Sequence, residues 1–464
     1  MASRSLSVQQ QEMEISGQNV ANVNNSAYAE EQLEISESTP LATAQGEEGT
    51  GVQATGITEN RNPLLDTQIQ TEASVSGSLT AQQSNLQNAE AYLDEQISST
   101  SSSTTPESSN GLAAGLSSLF DSFSSLANEP SDLSLRQTTV ESAQQVSAQF
   151  NQVSSQLSTV QSDLNTSVQN DVATSNQDLQ TIATLNQQIS SAQTSGGNAN
   201  TLVDQREQTL ENLAGLANFS TSTEADGSVD VSIGGVAMVS GNSVTANLQA
   251  YADSNGNQQV EAVDTSGSTT QLSLTGGSIA GEITARDGAL ASLQSGLNTL
   301  ASQLITQVNS IYSAGYDLNG NTGQDLFTGT NASNIGVNTN LAEDPTQFQA
   351  SGTAGATGDN TVILALAQLG NQDISGLSNQ TFSASYAQTV SNLGDAISSV
   401  NDQLDTSQSV SEMLTTQRSS TSGVSTDQEM ANLIQYQKGY EASAELISTL
   451  NQMLQTVLTM SSNS

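Results

Sequence analysis

The run Val146-Ser147-Ala148-Gln149-Phe150-Asn151-Gln152-Val153-Ser154-Ser155-Gln156-Leu157-Ser158-Thr159-Val160-Gln161-Ser162-Asp163-Leu164 decides the fold class. Its apolar residues recur in alternating steps of four and three, which puts them on one face of an α-helix. The pattern continues through Val168, Val172, Leu179, Ile182, Leu185 and Ile189. A stutter falls at 168–172, where four-residue steps follow one another. No proline interrupts residues 132–193, so the spacing predicts a rod of roughly 90 Å at 1.5 Å per residue. A helix that long with one apolar face needs helical partners.

Working outward, such partners are present on both sides. A helix is expected from Pro63 to about Ser98 with a few breaks, and Pro63 suits its first turn. The Ser/Thr run Ser98–Thr105, closed by Pro106, reads as a loop. A short helix carries Leu112, Leu116, Leu119, Phe120 and Phe123 and ends at Glu129-Pro130. Past Gly196-Gly197 another short helix holds Leu202, Val203, Leu210, Leu213 and Leu216. The character changes at about 219, where Val229-Asp230-Val231-Ser232-Ile233 alternates and Gly234-Gly235, Gly241-Asn242 and Asn255-Gly256 mark turns. This is a small antiparallel β module. Helix returns over 281–315, with a seam from Leu290 to Ile311; residues 316–375 read as mixed and loopy; helix resumes over 380–418.

The ends are amphipathic. Residues 5 to about 36 read as a helix carrying Leu6, Val8, Met13, Ile15, Val20 and Val23, with the Asn-rich stretch 19–25 marking its close. Residues 37–60 read as an extended connector with a β piece at Gly51–Ile57. Residues 427–460 form a last helix. Tyr436, Tyr440, Ala444, Ile447, Leu454 and Leu458 share one face, and Leu433, Leu446, Leu450, Met453 and Val457 widen it. A helix so apolar expects to be covered.

Composition narrows the function. Seven Lys and Arg stand against 47 Asp and Glu, a net charge of -40, with no His, Cys or Trp. Thiol chemistry, disulfides and histidine general bases are excluded. One lysine and six arginines cannot build a nucleic-acid stripe, and anionic lipid repels such a chain. No 18-residue apolar run exists, so membrane insertion is not expected. Met1-Ala2-Ser3-Arg4-Ser5-Leu6 has no apolar signal-peptide core, so an extracellular destination requires another export route. Only 34% of residues are hydrophobic, and the regular apolar spacing favours long helices with narrow seams over disorder.

No catalytic, cofactor or metal site is expected. Asp317-Leu318-Asn319-Gly320-Asn321-Thr322 has alternating oxygens, but Thr322 and Thr328 stand where a calcium loop needs Gly and Glu, so a turn is expected. The acid pairs Asp94-Glu95 and Glu47-Glu48 are adjacent residues in an acid-rich chain and do not make a glycosidase pair. Lys438 lies in the last helix, far from any nucleophile motif. Arg61, Arg206, Arg286 and Arg418 sit beside acids or turns. Each either neutralises a local cluster or binds a backbone carbonyl at a junction; the alternative is a solvated side chain.

Two segments carry a resemblance. Ile15-Ser16-Gly17-Gln18-Asn19-Val20-Ala21-Asn22-Val23-Asn24-Asn25-Ser26-Ala27-Tyr28 is similar to the N-terminal signature of bacterial flagellar axial proteins. Arg418–Met430, leading into Ala431-Asn432-Leu433-Ile434-Gln435-Tyr436-Gln437 and Tyr440–Ala444, resembles the C-terminus of the hook-associated protein 1 (hook–filament junction) family. Leu202-Val203-Asp204-Gln205-Arg206-Glu207, Gly281–Asp287 and Gly315–Gly320 support the same family, as does Gly51-Val52 with Ile57 and Arg61. Three departures stand out. Family members carry about ten further residues before the position of Leu6, and read Gly-Tyr-Ser-Arg-Gln where this chain has Ala27-Tyr28-Ala29-Glu30-Glu31; the β module is also small for the family.

The expected fold is mainly α with a small β-rich insertion: elongated and multi-domain, with paired N- and C-terminal helices and an antiparallel helical bundle. The resemblance implies an N-terminal axial helix at 1–36 and an extended connector at 37–62. A helical bundle is expected in two parts, 63–218 and 281–420, around an outer β-rich domain at 219–280, with a C-terminal axial helix at 421–464. It implies a structural, non-enzymatic component of the hook–filament junction, exported by the flagellar apparatus to the cell exterior and supporting filament assembly and motility. Implied partners are further copies in a junction ring, the hook protein, the second hook-associated protein and an export chaperone at the C-terminal helix. The alternatives are another axial protein (second junction, hook or rod) or a surface adhesin.

Overall fold

A computed structural model of the chain describes residues 1–43, 46–93 and 111–462. Helix α1 (Ala2–Ala21) leads into strands β1 (Glu31–Glu37), β2 (Leu41–Thr43), β3 (Gly46–Glu48) and β4 (Val52–Glu59). Four helices follow: α2 (Pro63–Leu93), α3 (Leu112–Asn128), α4 (Leu133–Thr194) and α5 (Asn200–Leu216). The β module comprises β5 (Ser220–Thr223), β6 (Val229–Ile233), β7 (Val236–Ser240), β8 (Ser243–Val244), β9 (Ala246–Ala252), β10 (Gln258–Asp264) and β11 (Thr269–Gln271). Next come α6 (Gly277–Ala285), a π-helical turn (Arg286–Leu290), α7 (Ala291–Tyr312), the short strands β12 (Phe327–Thr328) and β13 (Gly336–Val337), and α8 (Thr339–Glu343). The chain ends in α9 (Thr361–Leu369), α10 (Phe382–Thr421) and α11 (Thr426–Ser462). The molecule is mainly helical and elongated, with small antiparallel sheets.

Helix α4 is the 62-residue rod the spacing called for. The Asp132 carboxylate caps it, accepting from the backbone N–H groups of Ser134 (2.7 Å) and Leu135 (3.0 Å). Its stutter has a structural meaning. Up to Leu164 its apolar face packs into a core shared with α2, α3, α7, α9 and α10. From Val168 onward the face joins a second core, with Val229, Val231, Ile233, Met238, Val239, Leu248 and Val260 of the β module and Leu210 and Leu213 of α5. Two four-residue steps rotate the stripe relative to a 4-3 repeat, and the rotation turns it from one set of partners to the other. The module's two sheets run β5-β6-β7-β8 and β11-β10-β9, all antiparallel. On β6, Val229, Val231 and Ile233 alternate inward.

Helix α10 runs antiparallel to α2. Gln83 Nε2 donates to Asn401 Oδ1 (2.6 Å), while the Ser407 hydroxyl reaches Glu72 one end further along. Glycine permits two close crossings. A Cβ on Gly77 of α2 would lie 2.3 Å from the Gly215 carbonyl oxygen of α5, and one on Gly281 of α6 would lie 2.2 Å from that of Ser78 in α2.

The structure corrects four expectations. The first helix stops at Ala21, and 31–37 is a strand instead of a helical tail. Leu33 and Ile35 alternate with Gln32, Glu34 and Ser36, and β4 supplies a long-range antiparallel partner, with an irregularity at Glu34/Ile35. That pairing overrides the weak helical preference of the Glu/Gln run. Helix α2 has no breaks. The 281–315 helix starts earlier, at Gly277, and is divided by a π-turn. The region 316–375 contains α9, whose Val362, Ile363, Leu366 and Leu369 are buried. The expected Ser98–Thr105 loop and the pair Asp94-Glu95 lie outside the described residues.

Candidate functional site: the terminal helix pair and its arginine hub

Helices α1 and α11 pack antiparallel. Ser5 meets Ser443 through their hydroxyls (3.2 Å), the Ser443 hydroxyl donates to Gln9 Oε1 (3.4 Å), and Asn19 Nδ2 donates to Glu429 Oε1 (3.2 Å). The apolar contribution is narrow, with Val8 and Ile15 the buried aliphatic residues of α1. Ser5 lies opposite Ser443, and α11 continues to Ser462. Every residue of 451–460 is exposed, and Leu450, Met453, Leu454, Val457 and Leu458 are between 48% and 67% exposed. Within one chain the apolar face read from the sequence is not buried: Leu433, Tyr436 and Ile447 are half-buried, Tyr440, Ala444, Leu446 and the last turns are exposed, and the buried residues of α11 are Glu429 and Ser443.

Asn19 organises the base of the pair. Its Oδ1 accepts from the Tyr28 hydroxyl (2.8 Å) and the Glu31 backbone N–H (3.0 Å), and its Nδ2 donates to the Glu31 carbonyl (2.9 Å). The side chain substitutes for a neighbouring strand and turns the chain from α1 into β1. Two bonds join this turn to the α10–α11 connection, Glu30 N–H to the Ser422 carbonyl (2.8 Å) and Asn60 Nδ2 to the Thr421 carbonyl (2.7 Å), and Asn60 N–H donates to the Glu30 carbonyl (2.9 Å).

Beneath it lies a buried ionic hub. Arg61 pairs with Glu59 (3.1 Å), Asp66 (3.2 Å) and Asp204, and its Nη2 donates to the Ala27 carbonyl (2.8 Å). Arg418 pairs with Glu211 and approaches Asp66 at 3.7 Å. Segments distant in sequence thus converge on two guanidinium groups, whose forked donors suit such a junction. Burial opposes the Arg61 charge, but Glu59, Asp66, Asp204 and Glu207 together outweigh it and hold the proton more tightly than usual. The same crowding works against the acids. Burial, only partly offset by Arg61, pushes the Asp204 carboxyl up to about 6 and raises Glu59.

The other two arginines serve the β module. Arg206 Nη1 donates to the Gly227 carbonyl (2.7 Å) and Asn186 Oδ1 (3.2 Å), and Asn186 itself bonds Val229 and Gly241. Arg286 donates to the Gln258 carbonyl (2.6 Å) and Asn165 Oδ1 (2.9 Å), and its Nε lies 2.8 Å from an Asp287 oxygen. All four arginines therefore fix junctions, and none is a solvated side chain. Sequence reasoning missed Arg136, 1% exposed, which donates to the carbonyls of Pro130 (2.8 Å) and Phe348. Its near acid in sequence, Asp132, caps α4 instead, and the acceptors of Arg136 are carbonyls. Asp317 caps its own turn, accepting from the N–H groups of Asn319 (2.7 Å) and Asn321 (2.8 Å). Glu47 and Glu48 are on β3, exposed, and Lys438 pairs with Glu441 at the surface (2.7 Å). Among the described residues no group of His, Cys, Asp and Glu is arranged to hold a metal ion.

Comparison with known proteins decides the family. Residues 98–327 match the family model described as the flagellar hook-associated protein FlgK helical domain, and residues 415–460 match that of the flagellar basal body rod FlgEFG protein C-terminal region. The chain is 23% identical to flagellar hook-associated protein 1 of Salmonella typhimurium, over 95% of each chain, and 25% identical to that of Bacillus subtilis, over 98% of this chain and 96% of the relative. The chain belongs to the flagellar hook-associated protein family. The fold agrees: the flagellar hook junction protein FlgK from Burkholderia pseudomallei superposes with a TM-score of 0.65 at 17% identity, covering 76% of this chain and all of that one. As a hook-associated protein it is an axial structural component of the bacterial flagellum, working outside the cell at the hook–filament junction. No helix among the described residues is long and apolar enough to cross a membrane.

Proposed function

We propose that this hook-associated protein forms a ring of identical subunits between the hook protein and the second hook-associated protein, built through the α1–α11 pair. The single observation that carries this reading is the apolar face that α11 leaves exposed along its length, from Met430 and Ile434 to Leu458. Leu446, Leu450, Met453, Leu454, Val457 and Leu458 continue that face and are exposed. Apolar area of that extent is stabilised by burial at roughly 25 cal/mol per Å². A copy displaced along the axis offers an equivalent helix pair to cover it, and heterologous packing of this kind closes into rings or continues as tubes. Before export the same face is the surface for a chaperone.

On this reading 1–36, with α1 as its helical part, and 421–464 form the axial portion, and 37–62 is the connector. The bundle of 63–218 and 281–420 lies further out and carries the 219–280 module. The test replaces Leu450, Leu454 and Leu458 with serine. Because all three are exposed, the isolated chain is expected to keep its unfolding midpoint, while hook-tip incorporation in motile cells is lost. Normal junctions with the triple variant would refute the reading.

A further inference from the structure

An open cavity of about 820 Å³ lies between α2, α4, α5 and α6, lined by Ser76, Thr80, Ser167, Asp171, Ser278 and Glu282, among others. Its lining among the described residues holds two carboxylates and no basic residue. Helices α4 and α6 meet there antiparallel: the Ser278 hydroxyl donates to Asp171, and further along Arg286 Nη1 donates to Asn165 Oδ1 (2.9 Å). Residues four apart share a helix face, so each helix presents a serine and an acid in successive turns, Ser167 and Asp171 on α4 and Ser278 and Glu282 on α6. The antiparallel register sets Asp171 against Ser278 and brings Ser167 level with Glu282. The first rung is closed by its hydrogen bond, and the second is open. Glu282 is 7% exposed and lines the cavity, and its Oε2 is shut off from solvent with no hydrogen-bond partner. The charges that act on it are Asp171 and Arg286, and the Arg286 donors go to Asn165, Gln258 and Asp287 instead. The faces that α2 and α5 turn to the cavity are uncharged.

A buried carboxyl with no partner, beside a second acid, is costly, and a cation held by both removes the cost. The charged and hydroxyl groups on offer are all oxygen ligands, which selects a hard cation. Calcium accepts irregular shells of about six to eight oxygens, whereas magnesium requires a near-ideal octahedron, so an open site between two helices suits calcium better. Two acids balance a divalent charge but are too few to make a metal-holding group by themselves; the serine hydroxyls, and water from the open side, complete the shell. We propose that Asp171, Glu282 and the hydroxyls of Ser167 and Ser278 hold a calcium ion in this cavity. Asp171 falls within the 168–172 stutter, and Val168 and Val172 beside it belong to the second core together with Ile279 of α6. The ion therefore fastens α6 to the rod where the rod passes from one core to the other. Neither α1 nor α11 lines the cavity, so the site is independent of the self-association proposed above.

The test is hydrogen exchange of the full chain at about pH 7.5 in about 0.15 M sodium chloride, with calcium chloride titrated to about 10 mM. At the affinity usual for extracellular calcium modules, about 1 mM, exchange over 164–172 and 277–285 should slow about tenfold at the end of the titration. Magnesium at the same concentration should slow it less than about threefold. Glu282→Gln and Asp171→Asn keep the size of the side chain and an oxygen acceptor, so each should fold. Each should reduce the calcium effect, taken as a ratio within the variant, to less than about twofold. No calcium-dependent slowing overturns the site. Slowing of equal size throughout the chain, or slowing retained in either variant, is screening of the net charge of -40 and overturns it as well. Equal protection by magnesium overturns the choice of ion.

Discussion

Replacing Arg61 with methionine should unfasten the root of the terminal pair, by an amount the geometry bounds. Arg61 makes ion pairs with Glu59, Asp66 and Asp204 and one bond to the Ala27 carbonyl. Methionine keeps much of the apolar stem but leaves the acids facing one another with little solvent. Removing one partner of a buried pair costs about 3–5 kcal/mol, and the carbonyl bond adds about 1 kcal/mol. Arg418, near Asp66, offsets part of this, so about 3–4 kcal/mol is expected at pH 7.5. Arg61→Lys keeps the charge without the fork and should cost about 1–2 kcal/mol.

The loss should shrink in acid. Asp204 has a folded-state pKa of about 6, above its ordinary 3.8, so in the wild type its contribution falls as pH rises from about 4 to 6 and stays low above that. Without Arg61 the acids hold protons more tightly still, and at pH 5 protonation relieves much of their repulsion. The two cores make global unfolding a poor readout. Hydrogen exchange over residues 27–66, at 0.15 M salt because of the net charge of -40, isolates the hub. The reasoning is refuted if Arg61→Met exchanges within about 0.5 kcal/mol of the wild type at pH 7.5, the spread of neutral substitutions. A penalty independent of pH between 5 and 8 would refute it equally.

Two further outcomes follow from buried groups. Burial, then the charge of Asp171, with Arg286 opposing, pushes the Glu282 carboxyl up to about 8, so its ionisation burdens the folded state increasingly as pH rises from about 4.5 to 8. Glu282→Gln should raise local stability by about 1–2 kcal/mol at pH 8.5, after discounting for screening, and make little difference near pH 4.5; hydrogen exchange across α6 at the two pH values checks this. Gly281→Ala places a methyl 2.2 Å from the Ser78 carbonyl oxygen, a contact only backbone movement relieves, and should cost about 1–3 kcal/mol with faster exchange across the α2–α6 contact.

The sequence by itself determined the rod. The four-three spacing of Val146 to Leu164 depends only on helical geometry, so α4 and, by the same logic, α7, α10 and α11 were legible along with the β module's alternation and turns. Its stutter at 168–172 was visible too, but only the fold shows that it marks the passage between two cores. The strand at 31–37 was not legible, because its partner lies beyond a hairpin and the Glu/Gln run has no strong preference of its own. The hub was half legible: acids near Arg61 and Arg206 in sequence flagged them, while Arg136 had only distant carbonyls as partners. The burial of Glu429 was beyond reach, since its surroundings exist only when α1, β1 and α11 meet. Periodicity is a property of neighbours along the chain and survives in the sequence. A buried charge is defined by what surrounds it, and for Arg61, Arg418 and Glu429 those surroundings come from segments up to four hundred residues away.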